Sequence, residues 1–467
     1  MQARPPSTPK EDYGSAARRA TSVRISVREA RMSRASSALL TRLYDLATGD
    51  EDARVCRDIP DDACRHQPRN YFVHIVALIA TKAGDLLMDV KTVLAWMLAT
   101  LGAPAVMIAM LVPIRESLSL LPQLAVAGVM RRYRLRKWFW VAGSIGQGLA
   151  VVAMVPVVLV FEGAVAGGLV LSLLVVFALA RGVCSVSLKD VEGKTVSKTR
   201  RGSVSGYASS AAGAVSLLVG GWLHFVGSDS PSLAVFSWLL IGAGLLWLFA
   251  AAVYAQVLEP EGATEGGASA LAEAWRSLRL LREDARLRHF LYVRTLLLST
   301  ALAAPFYVVL TRELTDSSIG ALGLMIIATG LASLLSSAVW GRLADRSSRR
   351  VLVAAALTAG LGGLFAFGYG RLDTAHSAWV FAALFFVLGV AHSGVRIGRK
   401  TYLVDMASAS TRASYVALSN TLIGIALLLA SGVGLLAGAL GAGGLVLLLA
   451  MCSLAAALVA MRLPEVQ

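Results

Sequence analysis

Apolar residues in this chain come in long runs rather than in alternation. From Tyr71 to the C-terminus, stretches nearly free of charge follow one another, separated by short connections rich in Arg and Lys. A run of about twenty apolar residues, wound as a helix, crosses ~30 Å of hydrocarbon. The pattern predicts spans at 72–101, 104–130, 138–160, 164–188, 204–226, 233–256, 289–311, 318–341, 351–370, 377–402, 413–438 and 442–461. One connection, 257–288, is long. It opens on Glu259 and Pro260 and then carries Leu271, Trp275, Leu278 and Leu281 at helical spacing, which predicts an interfacial amphipathic helix. The expected fold is all-α, with 12 transmembrane helices in two pseudo-symmetric six-helix bundles. The boundaries are a tail at 1–70, a first bundle at 71–256, a linker at 257–288 and a second bundle at 289–467.

Composition narrows the class. Of 467 residues 56% are apolar and 16% charged, and the mean hydropathy is +0.67. That leaves too little polar surface to cover a soluble protein of this size. A net charge of +15 would suit a nucleic-acid binder, but the cations lie in the connections of one membrane side. That side carries Arg131, Arg132, Arg134, Arg136 and Lys137, Lys189, Lys194, Lys198, Arg200 and Arg201, Arg276 to Arg288, Arg342 to Arg350, and Arg399, Lys400 and Arg412. The opposite connections carry Arg312 and Arg371 only. The positive-inside rule makes the basic side cytoplasmic and both termini with it. A multi-pass monomer in a bacterial inner membrane is expected, with the lipid bilayer as its surroundings and no nucleic-acid partner.

The tail adds little. Residues 1–36 are basic with no apolar core, so no cleavable signal is expected there and the stretch reads as disordered. Leu39, Leu40, Leu43, Tyr44 and Leu46 predict a short amphipathic helix on the membrane or the cytoplasmic face. Four cysteines suggest no disulfide framework, and the gap between Cys56 and Cys64 fits no strong zinc spacing, so no metal is expected. Trp138, Trp140 and Trp238 stand near span ends and read as interface anchors. No phosphate-cradling loop and no nucleophile constellation is present, so neither an enzyme nor a cofactor is expected.

Ionisable residues at membrane depth are costly and normally face a cavity or a partner. Span 1 carries Lys82, Asp85, Asp89 and Lys91. The first three share a helical face, so Lys82 is expected to pair with Asp85, while Lys91 points towards another helix. Asp85 reads as structural and Asp89 as a candidate proton carrier. Span 2 holds Arg115 and Glu116, with Ser119 and Gln123 continuing the stripe; span 4 holds Arg181, span 7 Arg294, and span 10 His392 and Arg396. Arg396 and Arg399 also fit side chains snorkelling to the interface. An internal repeat at an offset of 211 places Ala180, Lys189, Arg201, Ser203, Gly213 and Gly221 on Ala391, Lys400, Arg412, Ser414, Gly424 and Gly432. Arg181 and His392 are related by the same offset.

After span 8 the chain reads Gly341-Arg-Leu-Ala-Asp345-Arg346-Ser-Ser348-Arg349-Arg350. This resembles the cytoplasmic signature of the major facilitator superfamily, G-x-x-x-D-R-x-G-R-R/K, with Ser348 in place of the second glycine. The equivalent loop after span 2 keeps Gly128 and the last cations, Arg136 and Lys137, but has Arg132 where the aspartate belongs. The resemblance covers roughly 70–462. It implies that Gly341 permits close helix packing. It also implies that Asp345 latches the outward-facing state against span 5, which Arg200 and Arg201 precede. It implies too that the first helices of each half line the cavity. The proton-antiporter pattern of the family is missing, since Ser216-Leu217 and Leu174 stand where its Gly-Pro pair and Arg belong.

The function expected is secondary active transport of a small organic solute by alternating access, two bundles rocking about a central site. Cations outnumber acids in spans 1, 4, 7 and 10, which favours an anion or zwitterion, with protons as candidate coupling ion. Two alternatives stand. One is proton-driven efflux of drugs or lipophilic cations through Asp89 or Glu116. The other is a non-transporting membrane sensor or lipid-handling scaffold, favoured by the long N-terminal segment.

Overall fold

The structure is a computed structural model. It describes residues 41, 42, 44 and 59, then 61–466 except 227–232, 263, 265–278, 280, 316–317 and 408–411. Residues 1–36, Leu39, Leu40, Leu43, Leu46, Cys56, Leu271, Trp275 and Leu278 lie outside the described residues.

Described elements are helical, with no strand among the described residues. Span 1 is built from Asp61–Leu87 and Val93–Thr100, span 2 from Ala105–Leu120 and Gln123–Met130, and span 3 from Lys137–Val152 and Met154–Val160. Spans 4, 5 and 6 are Gly163–Thr195, Lys198–Val226 and Leu233–Tyr254. Span 7 joins Ala285–Leu296 to Ser299–Leu314; spans 8, 9 and 10 are Ile319–Ala344, Ser348–Tyr369 and Ala378–Met406. Span 11 is Arg412–Ala430 with the tighter turn Ser431–Leu436, and the last helix, Ala437–Ala460, kinks at Gly441, after which span 12 runs to its end.

Length and hydropathy alone pick out 10 crossings. The count of twelve differs for two physical reasons. Span 1 carries too many charges to pass as apolar. Tyr415–Ala460 reads as one stretch of 46 residues, yet Gly441 breaks it at φ 65°, a left-handed backbone that glycine adopts without strain.

Spans 1, 3, 4 and 6 pack on one another in the first half, with span 5 against span 1 and span 2 against span 4. Spans 9, 10 and 12 form the body of the second, with span 8 against span 10 and span 7 against span 12. Trp138 and Trp238 are exposed, as interface anchors should be, but Trp140 is 2% exposed and stacks on Tyr254 at 4.0 Å. It is a core residue of the first half, a correction to its reading as an anchor. A Cβ on nearby Gly143 would lie 2.6 Å from Cys184 Sγ, so spans 3 and 4 pack closely there.

The two ends of the molecule differ. At the end away from the termini the halves are in contact, span 5 on span 8 and span 2 on span 11. A Cβ on Gly323 would lie 2.5 Å from the carbonyl oxygen of Gly220, so only glycine permits that approach. Ser216 Oγ donates to the Ile326 carbonyl at 2.9 Å, and His224 Nδ1 lies 3.2 Å from the Gly320 carbonyl. At the terminal end Gly202, Gly206 and Gly341 have nothing within 4 Å of a built Cβ, and Tyr207, Val339 and Leu343 are exposed. The halves stand apart there, and a cleft opens between them.

Two contacts tie loose chain to the first half at this end. Glu259, just after span 6, is fully buried as a side chain. It accepts the backbone N–H groups of Arg136 at 3.0 Å and Lys137 at 2.8 Å and takes Lys194 Nζ at 3.1 Å. A carboxylate at the start of span 3 meets the positive end of that helix. The loop that lacks its signature aspartate thus receives a carboxylate from the linker. Tyr44, 2% exposed, packs edge-on against Tyr71, and Gln67 Nε2 donates to its hydroxyl at 2.6 Å. The tail helix was expected on the membrane or cytoplasmic face; Tyr44 is instead inserted among spans 1 and 5. Cys64 is disulfide-bonded, a correction to the expectation of none, while Cys184 and Cys452 are free.

Candidate functional site

The chemistry of the cleft starts where span 1 stops being a helix. After Leu87 the backbone unwinds, and Asp89 Oδ1 accepts the N–H of Lys91 at 2.9 Å, the N–H of Thr92 at 3.1 Å and the Thr92 hydroxyl at 3.1 Å. These bonds start the segment Val93–Thr100 and satisfy donors that water cannot reach at membrane depth. Asp89 Oδ1 is thus engaged as a backbone cap, and the residue also lines a cavity.

Asp85 meets two guanidinium groups. Arg115 Nη2 of span 2 lies at 3.2 Å and Arg181 Nη2 of span 4 at 2.7 Å. Arg115 also bonds Glu116 Oε1 at 2.6 Å. The expected pair between Lys82 and Asp85 does not form. Planar guanidinium forks occupy the carboxylate, and Lys82 Nζ turns to span 5, donating to the Ser205 carbonyl at 3.3 Å and to Ser209 Oγ.

Lys91 reaches the other half, as its position on the opposite face of span 1 suggested. Its Nζ is 3.0 Å from Nε2 of His392 on span 10, and His392 Nδ1 is 3.1 Å from the Thr300 hydroxyl on span 7. An ammonium group only donates, so Nε2 accepts and the proton sits on Nδ1 facing Thr300, a neutral imidazole assigned from its partners. A cavity of about 160 Å³ is lined by Lys82, Asp85, Leu86, Asp89 and Thr92 of span 1, Ser216 of span 5, and Ile326 and Thr329 of span 8.

Across the cleft, span 10 brings further cations. Arg396 is exposed, and Arg396 and Lys400 are close enough to repel Lys82, while Arg399 attracts Glu116. Among the described residues neither Arg396 nor Arg399 has a carboxylate partner. Arg294 of span 7 is only 5% exposed. Its Nη1 donates to Ser419 Oγ and its Nη2 to Asn420 Oδ1 at 3.2 Å, whereas its buried Nε meets no acceptor among the described residues. Ser419, Asn420, Thr300 and Ser209 were not singled out beforehand. A Ser-Asn pair inside an apolar span was a readable signal; single hydroxyls were not.

The signature loop is placed but not engaged. Asp345 and Arg346 are exposed, and among the described residues Asp345 makes no ion pair. Arg349 Nε bonds Glu465 Oε2 at 3.0 Å, and the Arg350 N–H donates to Ser347 Oγ at 3.2 Å, starting span 9. Arg201 turns to its own loop, donating to the carbonyls of Val196 at 3.0 Å and Gly193 at 2.8 Å. Gly128 is exposed. A Cβ on Gly341 would meet nothing within 4 Å, so in this arrangement the space its missing side chain leaves is open.

Two six-helix halves, closed at one end and parted at the other around a charged cleft, define a polytopic membrane protein built like a solute carrier. Residues 290–467 match the family model of the Major Facilitator Superfamily. Solved structures share the fold over nearly the whole chain. A POT family transporter in complex with a thioalcohol-conjugated peptide is 12% identical, with a TM-score of 0.68, over 87% of this chain and 98% of that one. The inward-open xylose transporter XylE from E. coli is 13% identical, with a TM-score of 0.62, over 85% and 97%. The nucleoside transporter NupG is 12% identical, with a TM-score of 0.64, over 84% and 98%. No curated protein matches the chain. The family match covers the second half of the chain, and the likeness to these structures shows that the whole chain shares their fold.

Proposed function

We propose that this protein is a secondary active transporter of a small organic anion or zwitterion, held here in the arrangement open towards the side of its termini. One observation carries the reading. Asp85 is shared by Arg115 and Arg181, while Lys82, Lys91 and Arg396 border the same cleft with no carboxylate bound to them among the described residues. A cleft with surplus cations attracts solutes that bring negative charge. The cavity volume of about 160 Å³ suits a small solute. Efflux of lipophilic cations fits less well, because Asp85 and Glu116 are neutralised by Arg115 and Asp89 is spent on the backbone.

The bridge between Lys91 and His392 supports proton coupling. Imidazolium has no lone pair at Nε2 to accept from Lys91, and the groups facing it, Lys91, Arg396 and Arg399, are cations. Protonation of His392 therefore breaks the link between spans 1 and 10 and favours their separation. Transport of radiolabelled carboxylates into proteoliposomes under an imposed pH gradient tests both points. Gradient-driven uptake in the wild type, lost in His392→Gln while exchange persists, is the expected result. Transport of tetraphenylphosphonium and of no carboxylate would sink the anion reading.

A further inference from the structure

We infer that the anionic group of the solute is seated in the second half of the protein, on the buried Nε edge of Arg294. This rests on the anion reading above and adds where the charge is recognised. Arg294 is buried, and its Nη1 and Nη2 are splinted by Ser419 and Asn420 on span 11, which fixes the plane of the guanidinium. The Nε–H, also buried, is left without an acceptor among the described residues. The charge that acts on Arg294 is Arg399, of the same sign. In the first half the guanidinium groups of Arg115 and Arg181 both close on Asp85.

A cation removed from water with only neutral partners is costly, and a buried donor without an acceptor adds to that cost. An oxyanion docked on the Nε edge removes both. It would take two parallel N–H bonds, from Nε and from the second proton of Nη2, the bidentate geometry in which guanidinium binds carboxylate or phosphate. Arg399 then becomes an attractive neighbour instead of a repelling one. The splint also explains why span 11 keeps two adjacent polar residues, Ser419 and Asn420, in an apolar stretch.

The test uses full-length purified protein and measures thermal shift and calorimetric binding with succinate, citrate and inorganic phosphate, with sodium chloride matching ionic strength and tetraphenylphosphonium as a cationic probe. Saturable stabilisation of the wild type by an oxyanion is expected, and which probe succeeds separates carboxylate from phosphate. Arg294→Lys keeps the charge but loses the fork, and should weaken that binding at least tenfold. Should it fail to fold, Asn420→Ala removes only the splint and should weaken binding severalfold. Arg399→Gln should likewise weaken it. Oxyanion binding that stays at wild-type strength in Arg294→Lys, or in Asn420→Ala and Arg399→Gln, overturns the seat and leaves the anion reading standing. A wild type that no oxyanion stabilises overturns both.

Discussion

The two halves share an architecture and handle charge differently. In the first, cations and acids close on each other: Asp85 with Arg115 and Arg181, Glu116 with Arg115, and Asp190 and Glu259 with Lys194. In the second, Arg294, His392, Arg396 and Arg399 project from spans 7 and 10 with neutral partners or, among the described residues, no ion-pair partner. The repeat makes the contrast sharp. Arg181 on span 4 grips an aspartate of span 1, whereas His392, at the equivalent place on span 10, meets a threonine of span 7 and a lysine from the other half. In the first half the acids Asp85 and Glu116 are paired, and of the cations it brings to the cleft only Lys82 and Lys91 lack a carboxylate among the described residues, whereas the cations that spans 7 and 10 bring to the cleft have none. The first therefore behaves as a rigid frame, and the second is where an incoming anion changes the energy most.

Removing acids should then be costly in the first half and cheap in the second. The largest effect is expected for Asp85→Asn, which strands two guanidinium groups. Breaking a buried pair costs about 3–5 kcal/mol, and since Arg181 is 32% exposed we expect about 2–4 kcal/mol. Thermal unfolding of the purified variant measures it, and a loss under about 1 kcal/mol would break the idea of a neutralised frame. Next comes Glu259→Gln. It weakens three bonds to a buried carboxylate, each charge-assisted bond being worth roughly 1.5–3 kcal/mol with partial compensation by the amide. A lower melting temperature and faster proteolysis within 257–288 are expected, and an unchanged cleavage rate would detach the linker from the first half.

Much of this was legible beforehand, and the failures share a cause. Run length and loop charge marked the spans because hydrocarbon thickness and charge translocation act locally along the chain. Helical spacing also put Lys91 on the face that turns away from Asp85. Partners from distant helices are another matter. Asp85 looked one turn back to Lys82, but its partners lie 30 and 96 residues away, and spacing on one helix says nothing about what the next helix offers. That Asp89 caps a backbone break was hidden, because the break at Met88–Thr92 has no proline or glycine to announce it. Glu259 was read as a loop residue, though it supplies the carboxylate that the Arg132 loop lacks.

In the second half smaller effects are expected for the acids at the terminal end. Asp284 caps span 7, accepting the N–H groups of Arg286 at 2.7 Å and Leu287 at 3.1 Å, and Tyr415 donates its hydroxyl to the same carboxylate. Partial burial pulls its pKa up, but the Tyr415 hydroxyl and the two N–H groups outweigh it and hold it below the usual aspartate value. A depressed folded pKa gives stability that is present above the unfolded value, about 3.9, and is lost as pH falls through the folded one. Asp284→Ala should cost about 1 kcal/mol at neutral pH and should flatten the acid limb of a stability profile between about pH 5 and 3. An acid limb identical to that of the wild type would remove Asp284 from that account.

The smallest change in stability, within about 0.5 kcal/mol, is expected for Asp345→Asn, and the reason is the state of the molecule. With the terminal end parted, Asp345 is exposed and makes no ion pair among the described residues, and Gly341 faces open space, so nothing in this arrangement depends on the carboxylate. When the cleft closes, spans 5 and 8 must meet at this level, bringing the start of span 5 and its basic loop towards Asp345. A carboxylate there is favoured by the helix N-terminus and by guanidinium donors. The variant should therefore leave unfolding unchanged but shift the population towards the open arrangement. The measure is thiol labelling of Tyr207→Cys, a position 47% exposed at the parted end. Faster labelling in the Asp345→Asn background, with slower transport, is the expected outcome. Labelling and transport both equal to the parent would reduce this loop to a marker of membrane topology.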